Sequence, residues 1–435
     1  MKPLRTTLII LFAVVVFIAI GNGQWSDTRA AMMGTSGGSI PVGFGATFID
    51  GETFYLINLE PEVAFGQLGV GLDLNLRFTT NGKLRTGDYE TFEDYLRIIR
   101  YVRWAQKGDP FYTRVGQLDY SLLGHGSIVY NYCNGASYDM RRTGIELDMN
   151  FDKFGFESMY SDITDRGLLG MRGYVKPLKL TSLAKVPVIN NFEVGATYAR
   201  DLSEVADITS ADSSGRGLSI VGFDLGLPIL SYTIIKSSLY FDYAQIIHYG
   251  HGTSVGINMN FSGLGLVDLR GKYELRFNGV HYLPAYFDAL YEHDRFDPVR
   301  RLSKSDMLDT IVANRGYYGE LIISILNSFY IIAGYQAPYD TKNDGLLHAE
   351  LQLPEVSGIV IRGAFDKAKI GRVFILDNFS ILSAEIGYKP VRYLLVSTLY
   401  QQTYSNRNPD GSLRPDGSFI KQIRVEPKVS FVFDF

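Results

Sequence analysis

The chain has 435 residues, of which 46% are hydrophobic and 20% charged, with 45 Gly, 29 Tyr and 27 Phe but 2 Trp. That length exceeds one ordinary soluble core, and a Tyr-, Phe- and Gly-rich mixture suits strands and turns, so one large closed sheet is expected rather than a helical fold. A formal net charge of −4 excludes the basic surface that nucleic-acid phosphates require.

Residues 1–23 read as a secretory signal. Lys2 and Arg5 precede the apolar run LIILFAVVVFIAI (8–20), and GNG (21–23) supplies small residues for cleavage. The run is short for a bilayer span, and no later stretch of 18 apolar residues follows. The single Cys133 excludes an internal disulfide. Residues 24–39 read as a short N-terminal segment, and 40–435 as one domain.

Within that domain, LGVGLDLNLRF (68–78) sets Leu68, Val70, Leu72, Leu74, Leu76 and Phe78 on one face of a strand. Gly69, Gly71, Asp73, Asn75 and Arg77 take the other. GIELDMNF (144–151) and VDLRGKYELRFN (267–278) repeat the pattern, and shorter versions recur near 192–198, 221–227, 237–243, 253–261, 329–335, 346–353, 359–365 and 391–404. The last stretch, QIRVEPKVSFVFDF (422–435), alternates to the final Phe. The polar faces carry full charges and small residues, unlike a soluble sheet, and the strands run to the length a tilted membrane strand needs.

Connector lengths alternate as well. Short turns are expected at 65–69, 106–110, 151–155, 226–232, 261–265, 326–329, 353–358 and 388–391. Long loops fall at 79–95, 119–143, 200–217, 278–312, 336–345, 366–377 and 404–419. Segments 49–52, 161–168 and 246–252 are short on the long side, and 176–190 is long on the short side. The turns imply sixteen to twenty antiparallel strands, closed so that every backbone amide is paired.

Signal, alternating strands, sorted loops and a terminal aromatic strand together resemble bacterial outer-membrane β-barrel proteins. The resemblance covers residues 40–435 as architecture. It implies outer-membrane localisation, periplasmic N- and C-termini, external long loops, and a last strand read by the barrel-assembly machinery through Phe431, Phe433 and Phe435.

With the leucines toward lipid, Asp73, Arg77, Glu146, Asp148, Asp242, Arg270, Glu274, Arg276, His348, Glu350, Arg362, Arg424 and Glu426 are expected in the lumen. They either line a wet path with a transverse field or pair and brace the interior. Arg97, Arg100 and Arg103, spaced by three, fit a helical turn entering a strand, with Glu93 beside Arg97 and a solvated charged face. Segment 119–143 is too apolar to wave in water, so an inward fold is expected, with Arg141 and Arg142 at a constriction.

GHG occurs at 124–126 and 250–252. His125 and Ser127 resemble the His-x-Ser pair of outer-membrane phospholipases, although the wider motif is absent and a glycine turn is the plainer reading. His125, His248 and His251 lack a ligand spacing, so neither metal nor cofactor is expected. The expected partners are outer-membrane lipid, the assembly machinery and small solutes, with oligomeric state open. A porin-like channel is the leading function. A sealed surface-binding or secretion-accessory barrel is the alternative, with an acyl hydrolase behind both.

Overall fold

A computed structural model describes residues 37–49, 52–85, 88–135, 141–202, 217–263, 266–297, 302–326, 329–339, 345–370, 375–405 and 418–433. Twenty-two segments form one antiparallel sheet. Two of its strands are briefly interrupted: Val42↔Leu59 and Ser39↔Glu62 lie in one register, as do Leu59↔Leu74 and Glu62↔Gly71. Joining each interrupted pair leaves twenty strands around the ring, the top of the expected range.

In chain order they are β1 (Gly37–Ile49), β2 (Glu52–Leu59 with Glu62–Phe65), β3 (Leu68–Leu72 with Leu74–Thr79), β4 (Ile99–Trp104) and β5 (Phe111–Gly116). Next come β6 (Gly144–Asn150), β7 (Phe154–Tyr160), β8 (Leu168–Val175), β9 (Glu193–Asp201) and β10 (Ser219–Ser231). Then follow β11 (Ile235–Ile246), β12 (His251–Gly263), β13 (Val267–Asn278), β14 (Asn314–Ile325) and β15 (Phe329–Pro338). The circuit ends with β16 (Leu346–Gln352), β17 (Ile359–Ala368), β18 (Ser380–Val391), β19 (Leu394–Ser405) and β20 (Ile420–Phe433). Each strand pairs with the next, and β20 returns to β1 from Gly38↔Phe433 to Phe48↔Ile423. The sheet has no free edge, so its ladder groups need no water.

The barrel is inside out relative to a soluble protein. On β3, Asp73, Asn75 and Arg77 are buried while Leu68 is 43% exposed. Glu274 and Arg276 of β13 are buried, yet Tyr273 and Phe277 are exposed. An outer wall that is apolar all round, with the charges inside, is stable against lipid tails and not against water. Exposed aromatics crowd both ends of the strands: Phe65, Trp104, Phe154 and Tyr388 near the short turns, and Phe277 and Tyr339 near the long loops. These are the two girdles of a transmembrane β-barrel.

A test follows at mid-height. Val255 is 46% exposed and sits across from Phe241 and Leu275. Val255→Arg is expected to destabilise the barrel in phospholipid vesicles by about 2–4 kcal/mol, as a midplane charge does. On a water-facing sheet the change would stay within about 0.5 kcal/mol. Denaturant unfolding of vesicle-embedded protein separates the two.

Several boundaries differ from the sequence reading. β18 runs through Pro390 to Val391 and turns at 392–393, because a register shift between Tyr388 and Val391 absorbs the proline. β10 likewise passes Pro228, with a shift before Leu230, and turns at 232–234. The turn 79–98 contains helix α1 (Phe92–Leu96), capped by Thr91, before β4 begins. Arg97 pairs with Asp94 at 2.9 Å, not with Glu93, and Arg100 and Arg103 are buried on the inner face of β4 rather than solvated. Burial follows because Arg100 reaches Glu62 across the ladder and Arg103 donates to the Ala105 carbonyl.

Candidate functional site: an interior occupied by two loop segments

Between β5 and β6, residues 117–135 and 141–143 enter the bore and touch strands around its circumference at mid-height. Gly124 N donates to Glu157 of β7 at 2.8 Å. His125 Nδ1 lies 2.8 Å from Asp242 Oδ1 on β11, and Lys272 of β13 donates to the His125 carbonyl at 2.5 Å. The Tyr130 hydroxyl donates to Glu320 of β14, Tyr120 to Glu350 of β16, and Arg141 pairs with Asp73 of β3. Burial first, then Glu350, holds the Tyr120 phenol well above the ordinary tyrosine range, so it stays a donor.

GHG (124–126) makes the tip of this insert. Gly124 and Gly126 have φ of +58° and +90°, which L side chains adopt reluctantly. A Cβ on Gly124 would also lie 2.8 Å from Arg172 Nε, and one on Gly126 2.1 Å from the Tyr130 ring. Two glycines thus let a tight turn push the imidazole onto the Tyr240 ring, with centroids 4.3 Å apart.

A second segment, residues 279–297 and 302–311, lies on the insert. Phe287 N donates to the Ile128 carbonyl, Tyr130 N to the Phe287 carbonyl, and Ala285 N to the Ser127 carbonyl. Glu292, from the short helix α2 (Tyr291–Asp294), ties the segments together. It accepts from Tyr132, and its other oxygen faces Arg142 at 3.5 Å and Arg295 at 3.0 Å. Leu118, Leu123, Ile128, Val129 and Tyr132 of the insert join Tyr282, Tyr286, Phe287, Tyr291 and Leu308 in one buried core. Its wall is Met159, Leu168, Ala199, Ile220, Ala244 and Ile246 of β7–β11. Those wall residues all sit toward the long-loop ends of their strands. Among the described residues, no member of this core comes from β1–β4 or β15–β20.

Beneath the core is an ionic layer. Arg172 of β8, 2% exposed, meets Asp224 of β10 through Nε at 2.9 Å and Nη2 at 2.6 Å. It also meets Glu193 of β9 at 2.7 Å and Glu157 of β7 at 3.2 Å. Glu274 pairs with Arg276, with Lys272 at 3.4 Å, and accepts from Tyr240. Across the bore, Asp73 binds Asn58, Asn75 and Arg141, Glu60 meets Lys428 at 2.9 Å and Arg424 at 3.7 Å, and Arg362 meets Glu385 at 3.0 Å. His348 bridges Asp366 at 2.6 Å and Glu350 at 3.2 Å.

Of the residues expected in the lumen, Asp73, Arg77, Glu146, Asp148, Asp242, Glu274, Arg276, Glu350 and Arg424 are buried on the inner face. His348 and Arg362 are half-buried there. Arg270 shares the face of Glu274 but is exposed, because it lies near the short-turn rim. Glu426, Phe431 and Phe433 belong to β20, while Phe435 falls outside the described residues. Arg141 and Arg142 are both paired, with Asp73 and with Asp162 and Glu292.

The His–Ser pair is not assembled: His125 Nδ1 faces Asp242, and among the described residues Ser127 Oγ makes no hydrogen bond to the ring. His248 and His251 do not join it either. His125 instead groups with Asp224 and Asp242, ligand atoms within 4.8 Å of one another. Sequence spacing missed this trio because its acids come from β10 and β11. Arg172 takes both oxygens of Asp224, so a fixed cation already engages one member of the trio.

The fold and its filled interior define a large transmembrane β-barrel with an occupied bore. No protein-family model and no curated protein matches the chain. Among solved structures, OccAB2 of Acinetobacter baumannii is similar at 10% identity and TM-score 0.32, over 92% of this chain and 98% of that one. Wzi, an outer-membrane protein of Escherichia coli involved in group 1 capsule assembly and described as a carbohydrate-binding β-barrel, is similar at 11% identity and TM-score 0.37, over 94% and 86%. CdiB from Acinetobacter baumannii is similar at 8% and 0.28, and the chain spans 60% of its length. Likeness at this level assigns no substrate or partner.

Proposed function

We propose that this chain is an outer-membrane channel for small polar or amphipathic solutes, closed in the state described, whose path opens on one side of the insert. The supporting observation is an asymmetry. Toward β7–β11 the insert is held by a buried apolar core. Toward β16 and β3 the contacts are polar: Tyr120 with Glu350 and Arg141 with Asp73. Water can take the place of a polar partner, whereas it opposes exposure of apolar surface. The insert therefore parts first from β16–β20 and β1–β3, and solute passes there. In this reading the long loops face outward and the last strand carries the assembly signal.

The experiment is single-channel recording in planar bilayers. Tyr120→Phe removes one hydrogen bond to a carboxylate, about 1.5–3 kcal/mol, and is expected to raise the open fraction by roughly ten- to a hundredfold. Wild type and variant that both stay silent count against the channel.

A second reading is favoured by burial. Charged side chains lie under 10% exposed all round the ring, from Asp73 and Arg114 through Arg172 and Glu274 to Glu350 and Lys428. A barrel so thoroughly paired suits a sealed scaffold whose loops hold a surface partner. Silence together with a co-purifying partner selects that reading. Neither reading uses His125 or Ser127 as a catalyst.

A further inference from the structure

The connection from β8 to β9 breaks the pattern of short turns on its rim. Residues 177–191 form three 3-10 turns, Pro177–Leu180, Ser182–Lys185 and Ile189–Asn191. They are tied by Ala184 N to the Thr181 carbonyl, Val186 N to the Leu183 carbonyl, and Asn190 Nδ2 to the Ala184 carbonyl at 3.1 Å. The segment is a built feature, yet it turns its apolar side chains outward: Leu180 is 62% exposed, Leu183 42% and Val186 39%. None of them belongs to the interior core.

Two observations say what covers them. The first is continuity with the lipid-facing wall. On the same rim, the flanking turns expose Phe151 and Phe154 on one side and Tyr232 and Ile234 on the other. The leucines extend a strip that already meets the bilayer boundary. The second is charge. Residues 176–192 contain Lys176, Lys179 and Lys185 and no acid. Lys179 pairs with Asp152, Lys176 lies 3.9 Å from Glu193, and Lys185 is exposed. With Lys153 beside them, four lysines face two carboxylates, which leaves a positive excess of two charges.

We infer that residues 177–188 are an interfacial anchor resting on the anionic phospholipid surface at the short-turn rim. Leu180, Leu183 and Val186 enter the acyl boundary, and Lys185 meets headgroup phosphates. An amphipathic surface of this kind binds through buried apolar area plus attraction to anionic lipid. The ordered turns fix the side chains in that arrangement before contact. The inference rests on the transmembrane reading of the barrel.

The test uses the full chain, with Cys133→Ala, in vesicles of zwitterionic phospholipid with and without phosphatidylglycerol. A fluorophore on Leu183→Cys is expected to be quenched by lipid-borne nitroxide and shielded from aqueous iodide. Adding Lys185→Gln is expected to lower the lipid-contacting population about fivefold in the anionic vesicles, and to change little in the zwitterionic ones. A second probe at Leu239→Cys, on the outer wall of β11, reports on the barrel itself. If Leu239 is lipid-quenched while Leu183 stays open to iodide, the anchor is overturned and the barrel stands. If Leu183 is quenched equally in both lipids with or without Lys185, the role of anionic headgroups is overturned. If neither probe meets lipid, the transmembrane reading itself fails.

Discussion

Replacing residues 120–141 by a short Gly-Ser connector is expected to convert a barrel closed at rest into one that conducts continuously. The excised stretch supplies the polar contacts to Asp242, Lys272, Glu320, Glu350 and Asp73. It also supplies Leu123, Ile128, Val129 and Tyr132 to the apolar core that includes Phe287 and Ile220. At about 25 cal/mol per Å2 of apolar surface, loss of these partners weakens the hold on residues 279–297 over the bore. The ring of twenty strands keeps its ladder, since neither β5 nor β6 is shortened. Conductance in planar bilayers is the readout, with retention of the folded barrel on unheated gels as the control. A folded variant that stays silent would mean that the inner side chains of the strands seal the bore by themselves. The channel proposal would then give way to the scaffold.

The second large effect lies at Arg172. One guanidinium pairs with Glu157, Glu193 and Asp224, carried by β7, β9 and β10, and stacks over Tyr174 with 4.8 Å to the ring centroid. Three carboxylates from neighbouring strands share the inner wall because that cation lies among them. Arg172→Met is expected to cost about 3–5 kcal/mol of barrel stability, the penalty of leaving buried charge uncompensated. Arg172→Lys should recover part of it, since a single ammonium cannot reproduce the fork on Asp224. Combining Arg172→Met with Asp224→Asn should recover part by removing one orphaned charge. Urea unfolding in phospholipid vesicles measures all three. Gly124 packs directly on Arg172, so the Met variant should also loosen the tip and raise conductance. A stability loss below about 1 kcal/mol would mean that water enters the ionic layer, at odds with the 2% exposure of Arg172.

How far the sequence announces this molecule depends on how local the signal is. Strand β13 coincides with the alternating run 267–278, and β3 covers the run 68–78 and one residue more, because lipid outside and charge inside impose a period of two that each strand carries alone. Loop sorting is equally local, since ladder length and turn length are properties of short stretches. The alternation fades where both faces are apolar: Leu395 and Leu399 of β19 point inward and are buried, while Val396 points outward. Prolines mislead as turn markers at 228 and 390, where a bulge accommodates them within a strand. The site is less legible still. Apolar character alone marks 119–143 as a segment that must be covered, but its partners are far away: His125 meets Asp242 117 positions on, and Tyr120 meets Glu350 230 positions on. No spacing rule reaches that far, and Glu292, which ties the two inner segments, stands in the short helix α2, which carries no motif.

The junction of β1 and β20 has a kinetic consequence. Gly38 and Phe433 are neighbours in space but separated by nearly the whole chain, and contacts that distant form late. Until they form, two rows of amides stand bare, a condition that hydrocarbon does not tolerate. Insertion of this polypeptide is therefore concerted: a half-finished ring has no stable resting place in a bilayer, and an internal fragment lacking either end should be cleared rather than accumulate.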